Sequence, residues 1–152
     1  MAAFASLFFT GLVAGAAFVI WIEFNPAGLS ASFYVQSMQH AIRDFTVPLP
    51  AIVMLSVVST ASASFLYRRE GRSFYLLLAA LICTVLVAVV TAIGNIPINN
   101  QIETWTPAAP PSNWSHLAIV WWQYQSIRTI ASVVALALVI IAILGFRGAR
   151  EA

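Results

Sequence analysis

The sequence predicts an all-α, polytopic membrane protein: a four-transmembrane-helix bundle with a short interfacial helix after the first span, forming one domain over residues 1–152. Three observations predict it. Hydrophobic residues make up 61% of the chain and charged residues only 8%, against roughly 25% charged in soluble domains. Four mainly apolar windows, at about 4–22, 47–67, 74–93 and 117–146, have the ~20 residues needed to cross the hydrocarbon core. The seven arginines are placed asymmetrically. Arg68, Arg69 and Arg72 fill the turn between spans two and three, and Arg147 and Arg150 follow span four. Only Arg43 and Arg128 lie towards the other side. By the positive-inside rule this puts both termini in the cytoplasm, in a plasma or inner membrane. A net charge of +2 with no lysine gives no reason to expect nucleic acid, and the single cysteine, Cys83, excludes an intrachain disulfide.

Span one carries Gly11 and Gly15 among alanines, a spacing that lets helix backbones approach closely in lipid. It has no basic n-region, so it reads as a retained helix rather than a signal peptide. Trp21 sits where an interfacial belt residue belongs, Pro26 stops the helix, and Glu23 is the one acidic residue bordering the span. Residues 29–44 are too polar to span. Ser30 suits an N-cap, and the spacing of Phe33, Ser37, His40 and Asp44 suits a helix lying at the interface, with His40 near the bundle mouth. Span two opens on Pro48 and Pro50, which a first helical turn tolerates. Its serines and threonine, like Thr84 and Thr91 in span three, are expected to satisfy backbone or neighbouring groups.

Span three runs into Asn95-Ile96-Pro97-Ile98-Asn99. Pro97 has no N–H to donate and biases Ile96 away from helical geometry, so the helix is expected to kink or end near Asn95. Broken backbone at that depth is tolerated where protein or a wet cavity satisfies it. Residues 106–113 form a proline-rich connection. The last helical pattern begins at Trp114, too early for a simple span, so its first turns should stand above the membrane or tilt. Trp121, Trp122 and Tyr124 are dense enough to line a site for a planar ligand. Arg128 is an intramembrane charge, a functional residue by default, with Glu23, Asn95 and Asn99 as its natural partners. All prolines, tryptophans, histidines and asparagines gather at the end opposite the arginine turn, and the site is expected there.

The ordered set Gly11, Gly15, Phe18, Pro26, Met38-Gln39, Asn95-Ile96-Pro97-Ile98-Asn99 and Ile127-Arg128-Thr129 resembles the anthrone oxygenase-like family of small membrane proteins, which includes noranthrone monooxygenases. Members often read Trp-Asn-His-x-Arg-Thr before the fourth span, where this chain has Tyr124-Gln125-Ser126-Ile127-Arg128-Thr129. The resemblance implies a monooxygenase, an oxidoreductase working on a lipophilic aromatic, phenolic or enolisable substrate with dioxygen and without flavin or haem. On that reading Glu23 or His40 is the base, Asn95, Asn99 and Arg128 stabilise the anion, and Trp121, Trp122, Tyr124 and Gln125 hold the substrate. A second reading is a copper, iron or zinc redox enzyme with a single transition metal ion on Glu23, His40 and His116. A third is a non-catalytic lipophile-binding protein or membrane-complex subunit. The partners expected are the lipid bilayer and a lipophilic small molecule, with self-association into a homo-oligomer left open.

Overall fold

The computed structural model describes the backbone of residues 1–151 and the side chains of residues 1–145. The named elements are helices: α1 (Ala2–Glu23), α2 (Ala31–Phe45), α3 (Pro48–Leu66), α4 (Arg72–Val90), a π-helical turn (Thr91–Asn95), α5 (Ile96–Glu103) and α6 (Trp114–Glu151). Four stretches are long and apolar enough to cross a membrane: α1, α3, the continuous run Arg72–Glu103, and α6 from Trp114 to Gly145. The protein is an integral membrane protein. The Arg147 and Arg150 side chains, which carry part of the charge asymmetry, lie outside the described residues.

The packing is that of a bundle in lipid. Large apolar side chains such as Phe8, Leu12, Val58, Ile82 and Ile130 face outward, while most buried positions of α1 and α3 are small or hydroxylated, Val13 and Ile20 being the exceptions. Without a hydrophobic drive between helices, close backbone approach and polar contacts do the joining. Ser6 bonds Thr60 at 2.9 Å and Thr10 bonds Ser56 at 3.0 Å, a two-rung ladder between α1 and α3. The other hydroxyls of α3 turn back on their own helix: Ser59, Ser62 and Ser64 donate to backbone carbonyls three or four residues earlier. Thr84 and Thr91 do the same in the third span. Of the small residues of α1, Ala14 and Ala17 are buried. Gly15 faces outward with open space around it, so the alanines rather than this glycine let α1 approach its neighbours.

α1 packs on α3 and α6, and α4 packs on the same two, so the spans form a ring in which neighbours run antiparallel. The α3–α4 connection is tight and uses Gly71 at φ +48, a conformation that L side chains rarely adopt. At the opposite end α2 lies over the ring, against α3 and α5. Its N-cap Ser30 accepts from the Phe33 N–H, and Tyr34, Val35 and Met38 are buried. Gln39 ties α2 down by donating from Nε2 to the Ile102 and Trp105 carbonyls, each at 2.8 Å.

The third span does not break where its proline suggests. Instead the helix widens to π pitch over Thr91–Asn95, with the Ile96 N–H reaching back five residues to the Thr91 carbonyl. It then resumes as α5, with Pro97 in the first turn, where a missing N–H costs little. Ile96 keeps a helical φ of −59 and ψ of −46. The wider turn absorbs the misfit between the proline ring and the preceding carbonyl, and the helix reaches Glu103.

Candidate functional site

A cavity of about 450 Å³ opens at the α2-covered end of the bundle. α1 contributes Ile20 and Phe24, α2 contributes Met38, Ala41, Ile42, Phe45 and Thr46, and α3 contributes Leu49, Pro50, Val53 and Met54. These walls are almost wholly apolar. The polar groups come from the third span and α6, beside the apolar Ala88, Ala92 and Ile96: Thr91 from the π turn, Asn99, Asn100 and Glu103 from α5, and Trp121 and Arg128 from α6. A ligand in this space meets hydrocarbon on one side and hydrogen-bonding groups on the other. Pro50 and Met54 of α3, Ala92 of the π turn and Ile96 of α5 border it and are exposed, so the cavity is open to the outside between α3 and residues 91–103 of the third span.

Each polar group is set by its helix. Asn99 sits one turn beyond Asn95, and its Oδ1 accepts from the Trp121 indole Nε1 at 2.7 Å. With the carbonyl end of the amide held, the amino end is the part left for a ligand. Asn95 is 1% exposed and donates from Nδ2 to the Trp121 carbonyl at 3.3 Å, so it fastens the π turn to α6 without lining the cavity. Its Oδ1 has no partner. Next to it, Gly94 lets the ring of Tyr124 lie against the backbone: a Cβ there would come within 2.6 Å of the ring.

Arg128 lies seven residues beyond Trp121 on the same helix, about 10 Å deeper at 1.5 Å per residue. It is 9% exposed and lines the cavity. Nη1 donates to Gln125 Oε1 at 2.9 Å, and Nε has no partner. Gln125 is held in turn, its Nε2 donating to the Ala17 carbonyl at 2.9 Å, so its oxygen is fixed towards the guanidinium. Thr129 donates to the same carbonyl at 3.0 Å. Among the described residues the one ion pair is His40 with Asp44, so Arg128 has no carboxylate partner. Taking a cation out of water costs roughly several kcal/mol even after relaxation. The Arg128 guanidinium thus meets a neutral amide rather than a carboxylate among the described residues, and it borders the cavity.

The structure thus brings Asn99, Trp121 and Arg128 to one cavity and fastens Asn95 and Gln125 directly behind it. It sets the other expected residues elsewhere. Glu23 is exposed at the end of α1 and is not part of the lining. His40 points outward, its side chain 73% exposed, and pairs with Asp44 at 3.4 Å. Trp122 stacks on Trp21 at 5.6 Å between ring centroids and donates to the Trp21 carbonyl. Tyr124 packs on Gly94. Arg128 is not bonded to Glu23, Asn95 or Asn99, because it sits about two turns below the asparagines' partner, Trp121. His116 is exposed, and among the described residues no three His, Cys, Asp or Glu side chains come together as metal ligands. Glu23, His40 and His116 do not form a donor set, and no step through a metal is derived from them.

Glu103 is the functional candidate that sequence reasoning missed. It continues the four-residue spacing of Asn95 and Asn99 by one more turn, a signal hidden by the expectation that Pro97 ends the helix. A second, smaller hollow of about 290 Å³ on the outer face of α1 and α6 is apolar, and the Ser126 and Thr129 hydroxyls that border it already donate to backbone carbonyls. The Tyr34 hydroxyl is also buried without a partner. Desolvation pushes this phenol well above its ordinary pKa and keeps it neutral.

A family model described as Anthrone oxygenase matches residues 38–138, which takes in every wall of the cavity except that of α1. No curated protein and no solved structure matches the chain.

Proposed function

The chain belongs to the anthrone oxygenase family, and from that premise we propose that it is a membrane oxygenase acting at the 450 Å³ cavity. Its substrate is a lipophilic, enolisable aromatic molecule that enters from the bilayer between α3 and residues 91–103 of the third span. Loss of a proton from an acidic C–H leaves an electron-rich anion that reacts with dioxygen. For an activated CH2 group, one O2 gives a C=O group and one water, so oxygen and electrons balance without an added reductant. The protein's part is to hold the ring against the apolar wall and to stabilise the negative charge. Arg128 and the amino end of Asn99 are the donors for that charge, with Gln125 positioning Arg128.

The observation that carries this reading is the buried Arg128, bordering a cavity with one apolar wall and lacking any carboxylate partner among the described residues. By the arginine distribution the cavity faces the extracytoplasmic side and the Arg68–Arg72 turn the cytoplasm.

Purified protein in lipid nanodiscs, given anthrone, is expected to consume one O2 per CH2 oxidised. Arg128→Ala should lower kcat by about 10²–10³-fold, the usual loss on removing an oxyanion donor, and Arg128→Lys should lose less. Unchanged oxygen uptake in Arg128→Ala would overturn the assignment. Saturable anthrone binding with no oxygen uptake would instead establish a lipophile-binding protein.

A further inference from the structure

We propose that Glu103 is the catalytic base that takes the substrate's proton, an inference that rests on the oxygenase reading above. Of the side chains that line the cavity, the ionisable ones are Glu103 and Arg128. The guanidinium, a cation with no carboxylate partner among the described residues, is suited to hold negative charge and not to remove a proton. Among the described residues the imidazoles and the other carboxylates lie outside the lining, and of these Glu23, His40 and His116 are exposed. Elimination over the lining leaves one base.

Its place suits the task. Helix α5 carries Asn99 and Glu103 four residues apart, so they share a face and are separated by one turn, about 6 Å. Asn99 is fixed by the Trp121 indole at 2.7 Å. Glu103 is therefore one turn nearer the open end than a group whose position is set, and it is exposed to solvent while lining the cavity. A carboxylate with access to both spaces can take a proton from a buried carbon and pass it to water. Gln39 fastens the helix end that bears it, donating to the Ile102 and Trp105 carbonyls on either side.

The step balances as a proton transfer. The substrate C–H bond breaks and its electron pair stays on the substrate as an enolate. A Glu103 carboxylate oxygen forms the new O–H bond, and the proton then goes to water. The negative charge settles towards Arg128, two turns below Trp121. Glu103 and Arg128 are not bonded to each other, so neither is neutralised before substrate arrives.

Anaerobic exchange isolates this step from the oxygen chemistry. In D2O without O2, wild-type protein in nanodiscs is expected to speed deuterium entry into the acidic CH2 of anthrone above the buffer rate. Glu103→Gln should slow that exchange by about 10²-fold or more, the usual range for losing a general base. The same variant should bind anthrone within about threefold of wild type, read by quenching of tryptophan fluorescence. Glu103→Asp should recover part of the exchange. Exchange at the wild-type rate in Glu103→Gln overturns the inference, as does loss of anthrone binding in step with loss of exchange, which would make Glu103 a binding residue. Wild-type protein that consumes O2 but shows no anaerobic exchange also overturns it and leaves the oxygenase reading standing. Wild-type protein inert in both assays overturns both.

Discussion

Gln125 decides what Arg128 is free to do. Its amide donates to the Ala17 carbonyl and presents Oε1 to the guanidinium at 2.9 Å, so the arginine is oriented without being neutralised. Gln125→Glu puts a carboxylate in the same place. Opposite charges at that distance, in a site shielded from water, attract strongly, and the internal pair would remove the need for an outside anion. Oxygen uptake on anthrone is expected to fall at least tenfold in Gln125→Glu, and less in Gln125→Ala. Equal activity of Gln125→Glu and wild type would show that Arg128 does not act as the anion partner. In the sequence Gln125 is visible as a polar residue inside an apolar helix, and Arg128 as an intramembrane charge. Their being partners is not visible, because a sequence of polar positions does not say which way a long side chain folds back. The outward turn of His40 is hidden for a related reason: on α2 the buried edge is set by Tyr34, Val35 and Met38, and its rotation about the helix axis is settled by packing.

At the scale of elements, the helices themselves are legible, since ~20-residue apolar runs and the Arg68–Arg72 interruption leave little choice. What composition does not reveal is how the third span handles Pro97. A proline after Asn95 and Ile96 predicts a break, and the π turn is the cheaper answer because it moves the lost bond to a place where one extra residue is taken up. Within that turn Gly94 lies against Tyr124 of α6. A methyl group there would sit 2.6–2.8 Å from three atoms of the Tyr124 ring, and those atoms belong to the ring's near half, so the whole ring must move. Gly94→Ala is expected to cost about 1–3 kcal/mol, the usual range for overpacking, read as a lower unfolding temperature in detergent. The loss should shrink in a Tyr124→Ala background, where the space is free. A Gly94→Ala protein as stable as wild type would mean that this contact is not close in solution.

For the whole molecule, an asymmetry between the two ends is the feature that sequence and structure share. One end closes with a short arginine turn, while the other carries α2, α5 and the cavity. The apolar exterior with its small, hydroxylated interior follows from the composition of the spans, and it is why the pairing of Ser6 with Thr60 and Thr10 with Ser56 holds α1 to α3. Cys83 is the only cysteine in the chain, so a Cys83→Ala background makes orientation measurable. On intact cells a membrane-impermeant maleimide is expected to label Ser112→Cys, in the loop before α6, and to reach Glu70→Cys only after permeabilisation. The reverse pattern would place the cavity in the cytoplasm.

The π turn has a further consequence in angle. Each residue of an α-helix advances about 100° around its axis, so one residue added or removed upstream reorients everything after it. Asn99 and Glu103 face the cavity in the phase that the Thr91–Asn95 turn sets. A third span with the same residues, wound at plain α pitch throughout, would keep its hydrophobicity and still cross the bilayer. It would swing the amide and the carboxylate about a quarter turn away from Trp121 and Arg128. The bulge thus acts as the index mark that aligns the polar edge of one helix with that of another.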